Sequence, residues 1–298
     1  MTATDTSAEY SRVHGRALVF DSGVGGLTVA EELRAISPDV HVDYAADAGF
    51  FPYGDKEDAQ LTERLPEVAS ALVGALDPDV FVIACNTAST LALPEIRERL
   101  TIPVVGTVPA IKPAARLSKT GTIGLLATPG TIRREYTAAL ISDFAQDVDV
   151  LLHGSVDLVT LAEAVARGET PSEEDFAAAQ APLFAQDRAN QMDVIVLACT
   201  HFPLIKTQLQ ATAPKPVTYI DSGEAIARQT GRILASRVGD VVVEHIPRAM
   251  ITDDPTRHPG LVEIFQRYGF ANTEAFMLNM GERSVASVSS AGTRTRSF

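Results

Sequence analysis

Two short apolar runs, each closed by a cysteine, constrain this chain more than any other feature. They are Asp79-Val80-Phe81-Val82-Ile83-Ala84-Cys85-Asn86-Thr87 and Asp193-Val194-Ile195-Val196-Leu197-Ala198-Cys199-Thr200-His201. Aligned, they share the Asp, two Val, the Ala and the Cys. Cys85 and Cys199 are the only cysteines of the sequence. A continuous, β-branched run of this length reads as a strand buried on both faces. In open α/β sheets ligands bind beyond the carboxyl ends of the strands. Each thiol is therefore expected where chemistry takes place, one in each half of a duplicated chain.

The rest of the chain alternates in the same style. Ala17–Phe20 reads as a strand running into Asp21-Ser22-Gly23-Val24-Gly25-Gly26-Leu27-Thr28, with a helix over 29–36. This is not the dinucleotide fingerprint, because its third glycine would fall on Thr28. Asp21 and Ser22 are expected to point into a pocket, with helix N-terminal amides nearby for an anion. A strand over 40–46 leads to Asp47-Ala48-Gly49-Phe50-Phe51-Pro52-Tyr53-Gly54-Asp55-Lys56, whose aromatics and proline suit a pocket wall. Helices are expected over 58–76, 88–100, from Pro109 to Leu117 and over 132–144, with strands over 102–107, 120–127 and 148–152. Helical segments over 158–166 and 169–187 precede the second cysteine run, and 204–209 follows it. A strand over 217–220 ends in a second Asp-Ser-Gly, Asp221-Ser222-Gly223, followed by a helix over 225–238. A strand over 249–252 and a helix over 258–268 complete the alternation.

Such alternation predicts parallel sheets with right-handed crossovers. The fold class is α/β: two similar domains with mainly parallel sheets flanked by helices, and the active site in the cleft between them. The first domain takes residues 17–107 plus 222–270, and the second 108–221. Residues 1–16 read as a disordered arm and 281–298 as a disordered tail.

Composition narrows the partners. A net charge of −13 argues against nucleic acid, which needs a basic face. The polar N-terminus lacks the apolar core of a signal peptide, and no run approaches the ~20 apolar residues of a membrane span. A cytoplasmic location is the default expectation.

Four uses of the two thiols compete. Redox pairs normally sit in C-x-x-C spacing, and a disulfide here would need the two strand ends to touch. Zinc would want three or four ligands, and Cys85, Cys199 and His201 lack the usual paired spacing. Two inert core thiols are the bland reading, weakened by the polar Asn86-Thr87 and Thr200-His201 that follow them. The remaining use is symmetric acid–base catalysis. One thiol removes a proton from one face of a carbon and the other delivers a proton to the opposite face. A thiol of ordinary pKa about 8.5 needs its thiolate stabilised to serve as a base. The Thr87 and Thr200 hydroxyls, helix amides or His201 could do this.

At this point the sequence resembles the cofactor-independent glutamate racemases, within the aspartate/glutamate racemase superfamily. The likeness runs through Asp21-Ser22-Gly23-Val24-Gly25-Gly26-Leu27, Pro52-Tyr53-Gly54, Ala84-Cys85-Asn86-Thr87-Ala88 and Ala198-Cys199-Thr200-His201-Phe202-Pro203-Leu204, and covers roughly residues 17–270. It implies interconversion of L- and D-glutamate without an organic cofactor or a metal, supplying D-glutamate for peptidoglycan. By that resemblance Cys85 takes the proton from D-glutamate and Cys199 from L-glutamate. It also implies Asp21 and His201 as catalytic helpers, with Glu163 as a third. The implied substrate contacts are Asp21, Ser22, Tyr53, Gly54, Asn86, Thr87, Thr200 and His201. Around Gly154-Ser155 the chain departs from the commoner Cys-Pro-Leu-containing version. That departure resembles a subgroup in which some members depend on a cell-wall precursor as activator. A homodimer is an open option. Rivals are a racemase acting on aspartate or hydantoin, a cis–trans isomerase using one cysteine covalently, and a two-lobed amino-acid-binding protein without turnover.

Overall fold

A computed structural model describes residues 15–236 and 246–278. The expected tail, and the arm apart from residues 15 and 16, lie outside the described residues.

The chain begins with β1 (Arg16–Asp21), α1 (Leu27–Ile36), β2 (His41–Ala46), α2 (Asp58–Leu76), β3 (Val80–Ile83), α3 (Asn86–Arg99) and β4 (Val104–Gly106). It continues with α4 (Ile111–Leu117), β5 (Thr122–Ala127), α5 (Pro129–Arg133), α6 (Glu135–Phe144), β6 (Asp149–Gly154) and α7 (Asp157–Ala166). Then come α8 (Glu173–Phe184), β7 (Val194–Leu197), α9 (Lys206–Thr212), β8 (Thr218–Ile220) and α10 (Gly223–Ala235). The last described elements are β9 (Arg248–Ile251), α11 (Pro259–Arg267) and β10 (Asn272–Ala275).

Among the described residues the strands form two sheets, of order β10-β9-β2-β1-β3-β4 and β6-β5-β7-β8. Every pairing is parallel. Helices cover both faces, which is why the strands read as apolar runs rather than as alternating ones. Side chains on a strand alternate between faces, and the core divides accordingly. Val80, Val82 and Ala84 join one core cluster and Phe81, Ile83 and Cys85 the other. In the second sheet Val194, Val196 and Ala198 lie on one side and Ile195, Leu197 and Cys199 on the other. Each cysteine thus has the same phase on its strand. The chain crosses between the sheets twice, after β4 and after β8. The Ser222 hydroxyl ties the crossings together by donating to the Val108 carbonyl.

Several expectations shift. The helix expected over 132–144 is two helices, broken where Arg134 adopts extended backbone at φ −77°, ψ 140°. The long connection over 169–187 is helical only over α8. Thr170 precedes Pro171, which disfavours helix there, and Ser172 caps the start by accepting from the Asp175 amide. The helix expected from Pro109 begins at Ile111. Strand β10 has no apolar signal: its side chains are mostly exposed, and pairing with β9 recruits it to the sheet edge.

Candidate active site

The carboxyl ends of the strands meet at one cavity of about 180 Å³. Ser22 comes from the turn after β1, and Phe51, Pro52, Tyr53, Gly54 and Asp55 from the segment after β2. Cys85, Asn86 and Thr87 follow β3, Thr128 follows β5, and Cys199, Thr200 and His201 follow β7. Val156, Val159, Thr160, Glu163 and Arg167 come from α7 and its flanks. Both cysteines are buried free thiols.

Cys85 is the residue on which α3 starts, with extended backbone at φ −142°, ψ 117°. Burial pushes its thiol pKa well up, and the Asp21 charge adds to this; the Ala88 amide and the Ser22 hydroxyl pull the other way. The Asn86 side-chain oxygen is buried without a hydrogen-bond partner. An orphaned acceptor on a cavity wall is costly unless a donor arrives, and an amino acid's ammonium is such a donor. The Thr87 hydroxyl lies 3.3 Å from that of Thr128.

Cys199 has different neighbours. The chain turns into a short 3-10 segment, Phe202–Ile205, rather than a long helix. His201 Nδ1 stands 3.9 Å from the Cys199 sulfur, and Nε2 stands 2.8 Å from Glu163 Oε1. Arg167 approaches the other Glu163 oxygen at 3.8 Å. Burial opposes the imidazolium, but the Cys199 and Glu163 side chains outweigh it and hold His201 well above its ordinary pKa.

The sites of sequence interest converge, though not all on the cavity surface. Asp21 ends β1 fully buried behind the wall. Its carboxylate accepts from the Gly23 amide at 2.7 Å and from the Thr200 hydroxyl at 2.9 Å. Burial raises its pKa, against the pull of His201 and those donors. The Tyr53 hydroxyl is likewise taken, donating to Asp47 at 2.7 Å. Asp47 also accepts from both Arg64 Nε and Nη2 and from the Thr252 hydroxyl. The glycines after β1 serve close approach. A Cβ on Gly25 would stand 2.7 Å from the His201 backbone nitrogen, and one on Gly23 2.9 Å from Glu163 Oε1.

Sequence reasoning missed Thr128, Thr160 and Arg167 on the wall, and Asp47 and Arg64 behind it. Thr128 had a usable signal, since it follows the strand next to β7 at its carboxyl end. Arg167 had none, because an arginine one turn past Glu163 reads as a solvated charge.

Two parallel α/β units, each presenting a thiol from the same phase of an equivalent strand to one cavity, define a two-lobed protein with a pair of free thiols on a shared wall. The chain belongs to the Asp/Glu/Hydantoin racemase family, a family of isomerases, whose sequence profile it matches over residues 28–230. It is 48% identical to a glutamate racemase of Brucella anthropi over 229 residues, covering 76% of this chain and 82% of that protein. It is 42% identical to a glutamate racemase of Erwinia tasmaniensis, covering 88% and 92%. The fold is similar to that of Escherichia coli glutamate racemase in complex with L-glutamate and the activator UDP-MurNAc-Ala. There the TM-score is 0.83 at 41% identity, covering 88% of this chain and 98% of that one. The Bacillus anthracis glutamate racemase isoform RacE1 gives a TM-score of 0.74 at 27% identity, covering 89% and 98%.

Proposed function

We propose that the chain interconverts L- and D-glutamate with Cys85 and Cys199 as its two bases. The observation that carries this reading is the pair of buried thiols, from equivalent strand ends, on one cavity wall. The domains are residues 17–107 plus 222–270 and residues 108–221, with the cavity between them.

For L-glutamate, the Cys199 thiolate takes the α-proton while the Cys85 thiol gives its proton to the opposite face. The C–H bond on one face breaks, its electron pair is held by the planar carbanion, and a new C–H bond forms on the other face. The roles exchange for D-glutamate. Burial keeps Cys85 as a thiol at rest, and His201 offers Cys199 a cationic partner at 3.9 Å. Carbanion formation needs the α-carboxylate stabilised as charge develops. Ser22, Asn86, Thr87 and Thr200 act as substrate contacts, with backbone amides at Gly54 and after Asn86 and Cys199. Asp21 acts from behind Thr200, and Glu163 through His201. In the cell this activity supplies D-glutamate to peptidoglycan.

The relative crystallised with UDP-MurNAc-Ala supports a cell-wall precursor as activator here as well; adding that nucleotide to a racemisation assay should raise the rate. Among the described residues no helix is long and apolar enough to cross a membrane, which is compatible with a cytoplasmic enzyme.

Incubation of L-glutamate in heavy water tests the main reading. Deuterium should enter the α-carbon as D-glutamate appears. Binding without exchange would point to an amino-acid-binding protein, and exchange only into aspartate to a sibling racemase.

A further inference from the structure

The break between α5 and α6 has a consequence for the Cys85 side of the cavity. Extended backbone at Arg134 aims its side chain out of the four-stranded unit and into the six-stranded one, where it is about nine-tenths buried. Nη1 donates to the Thr87 carbonyl at 3.2 Å and to the Thr90 hydroxyl at 3.0 Å. Nη2 pairs with Asp58 at 2.8 Å. The Thr90 hydroxyl in turn donates to the Asn86 carbonyl at 2.8 Å. One guanidinium therefore grips the first turn of α3, immediately beyond Cys85, and the start of α2, just beyond the Tyr53–Asp55 wall. The planar fork of arginine suits several acceptors held at fixed angles, which a lysine ammonium does not match.

We propose that Arg134 is a positioning residue. It latches the four-stranded unit onto the first turn of α3 and so fixes Asn86 and Thr87 for substrate. This rests on the racemase reading for its effect on catalysis, but not for its effect on access to the cavity.

The test compares Arg134→Gln, Arg134→Lys and wild type in two assays, on protein shown to be folded at the assay temperature. In R134Q the KM for both glutamate enantiomers should rise about tenfold while kcat stays within about threefold, because ground-state placement is what is lost. In the same variant without substrate, iodoacetamide should alkylate Cys85 and Cys199 about tenfold faster, since an unlatched cleft exposes them. R134K should fall between the two. A role confined to stability would lower the melting temperature and leave both readouts at wild-type values, and that result overturns the proposal. Wild-type behaviour of R134K in both assays would overturn the role of the fork. If R134Q does not fold, Asp58→Asn and Thr90→Val each remove one contact and should move both readouts about threefold in the same directions. No change in either variant overturns the latch. If the wild type does not racemise glutamate, the functional reading fails, while the alkylation arm still decides the latch.

Discussion

The ends of β3 and β7 begin from almost the same sequence and finish in different environments. Ile83 and Leu197 are buried in equivalent positions, and the cysteine two residues on has the same phase in each strand. Beyond the thiol the likeness ends. After Cys85 the chain enters α3 at once, and the thiol sits in an apolar, Asp21-facing position that keeps its proton on. After Cys199 a turn brings His201 beside the sulfur, backed by Glu163 and Arg167. In the two-base reaction proposed above, mirror-image substrates would thus meet two chemically unlike thiols. Equal strands deliver the groups, and unequal caps tune them.

Removing either thiol should have the largest effect. Cys85→Ser and Cys199→Ser should each lower racemisation by roughly 10³-fold, within the range of proton-transfer catalysis. Circular dichroism of glutamate solutions reads this directly. Near-normal turnover in one variant would show that only the other thiol is needed, and the comparison would collapse.

His201→Asn attacks one end alone and should cost on the order of 10²-fold. The two enantiomers have equal free energy, so kcat/KM must fall equally in both directions. The asymmetry appears instead in isotope effects. If, as proposed, the proton of L-glutamate goes to Cys199, the effect of α-deuteration on kcat/KM should grow for L-glutamate and not for D-glutamate. Equal growth for both would mean that His201 serves the two thiols alike.

The same residue should leave a mark on stability. Its folded pKa lies above the ordinary 6.5 of the unfolded chain. The unfolded state then releases the proton first, so the stabilisation is fully present below about pH 6.5 and is lost as pH rises through the folded value. Melting curves across that range should show wild type and H201N converging at alkaline pH. Divergence there would mean that His201 is held neutral.

Two smaller substitutions separate the ends structurally. Gly25→Ala drives a Cβ against the His201 backbone at the Cys199 end and should cost about 1–3 kcal/mol by overpacking. Tyr53→Phe removes one donor from Asp47 at the Cys85 end, where Arg64 and Thr252 remain. It should cost about 1 kcal/mol. Denaturant titration measures both, and a larger loss for Y53F than for G25A would mean that the Asp47 hydrogen bonds matter more to stability than the close packing at Gly25.

Much of this was legible in the residues. Apolar runs of strand length, each followed by small or polar residues, mark β1, β3, β5 and β7 and put Ser22, Cys85, Asn86 and Thr200 at their carboxyl ends. The aromatic segment after β2 declared itself a wall. What escaped was set by contacts distant in sequence. Strand β10 is polar and exists by pairing with β9. The continuous helical pattern over 132–144 gives no hint that Arg134 breaks it to reach Thr87. The glycines after β1 read as a turn into a helix, yet their bareness also accommodates His201 and Glu163 from the other unit.

By itself, then, the sequence determined most of the strands, though not β10, and which faces of β3 and β7 carry the thiols. Buried strands repeat every two residues, and a cysteine at an even spacing from core side chains must point where they do. Only the tertiary structure decided that the two thiols share a cavity and that, among the described residues, Cys199 has an imidazole partner while Cys85 has none. It also decided that Asp21 stands behind Thr200 rather than in the open site. Those outcomes depend on how two separately wound sheets approach each other across two chain crossings, where short-range pattern carries no information about distance.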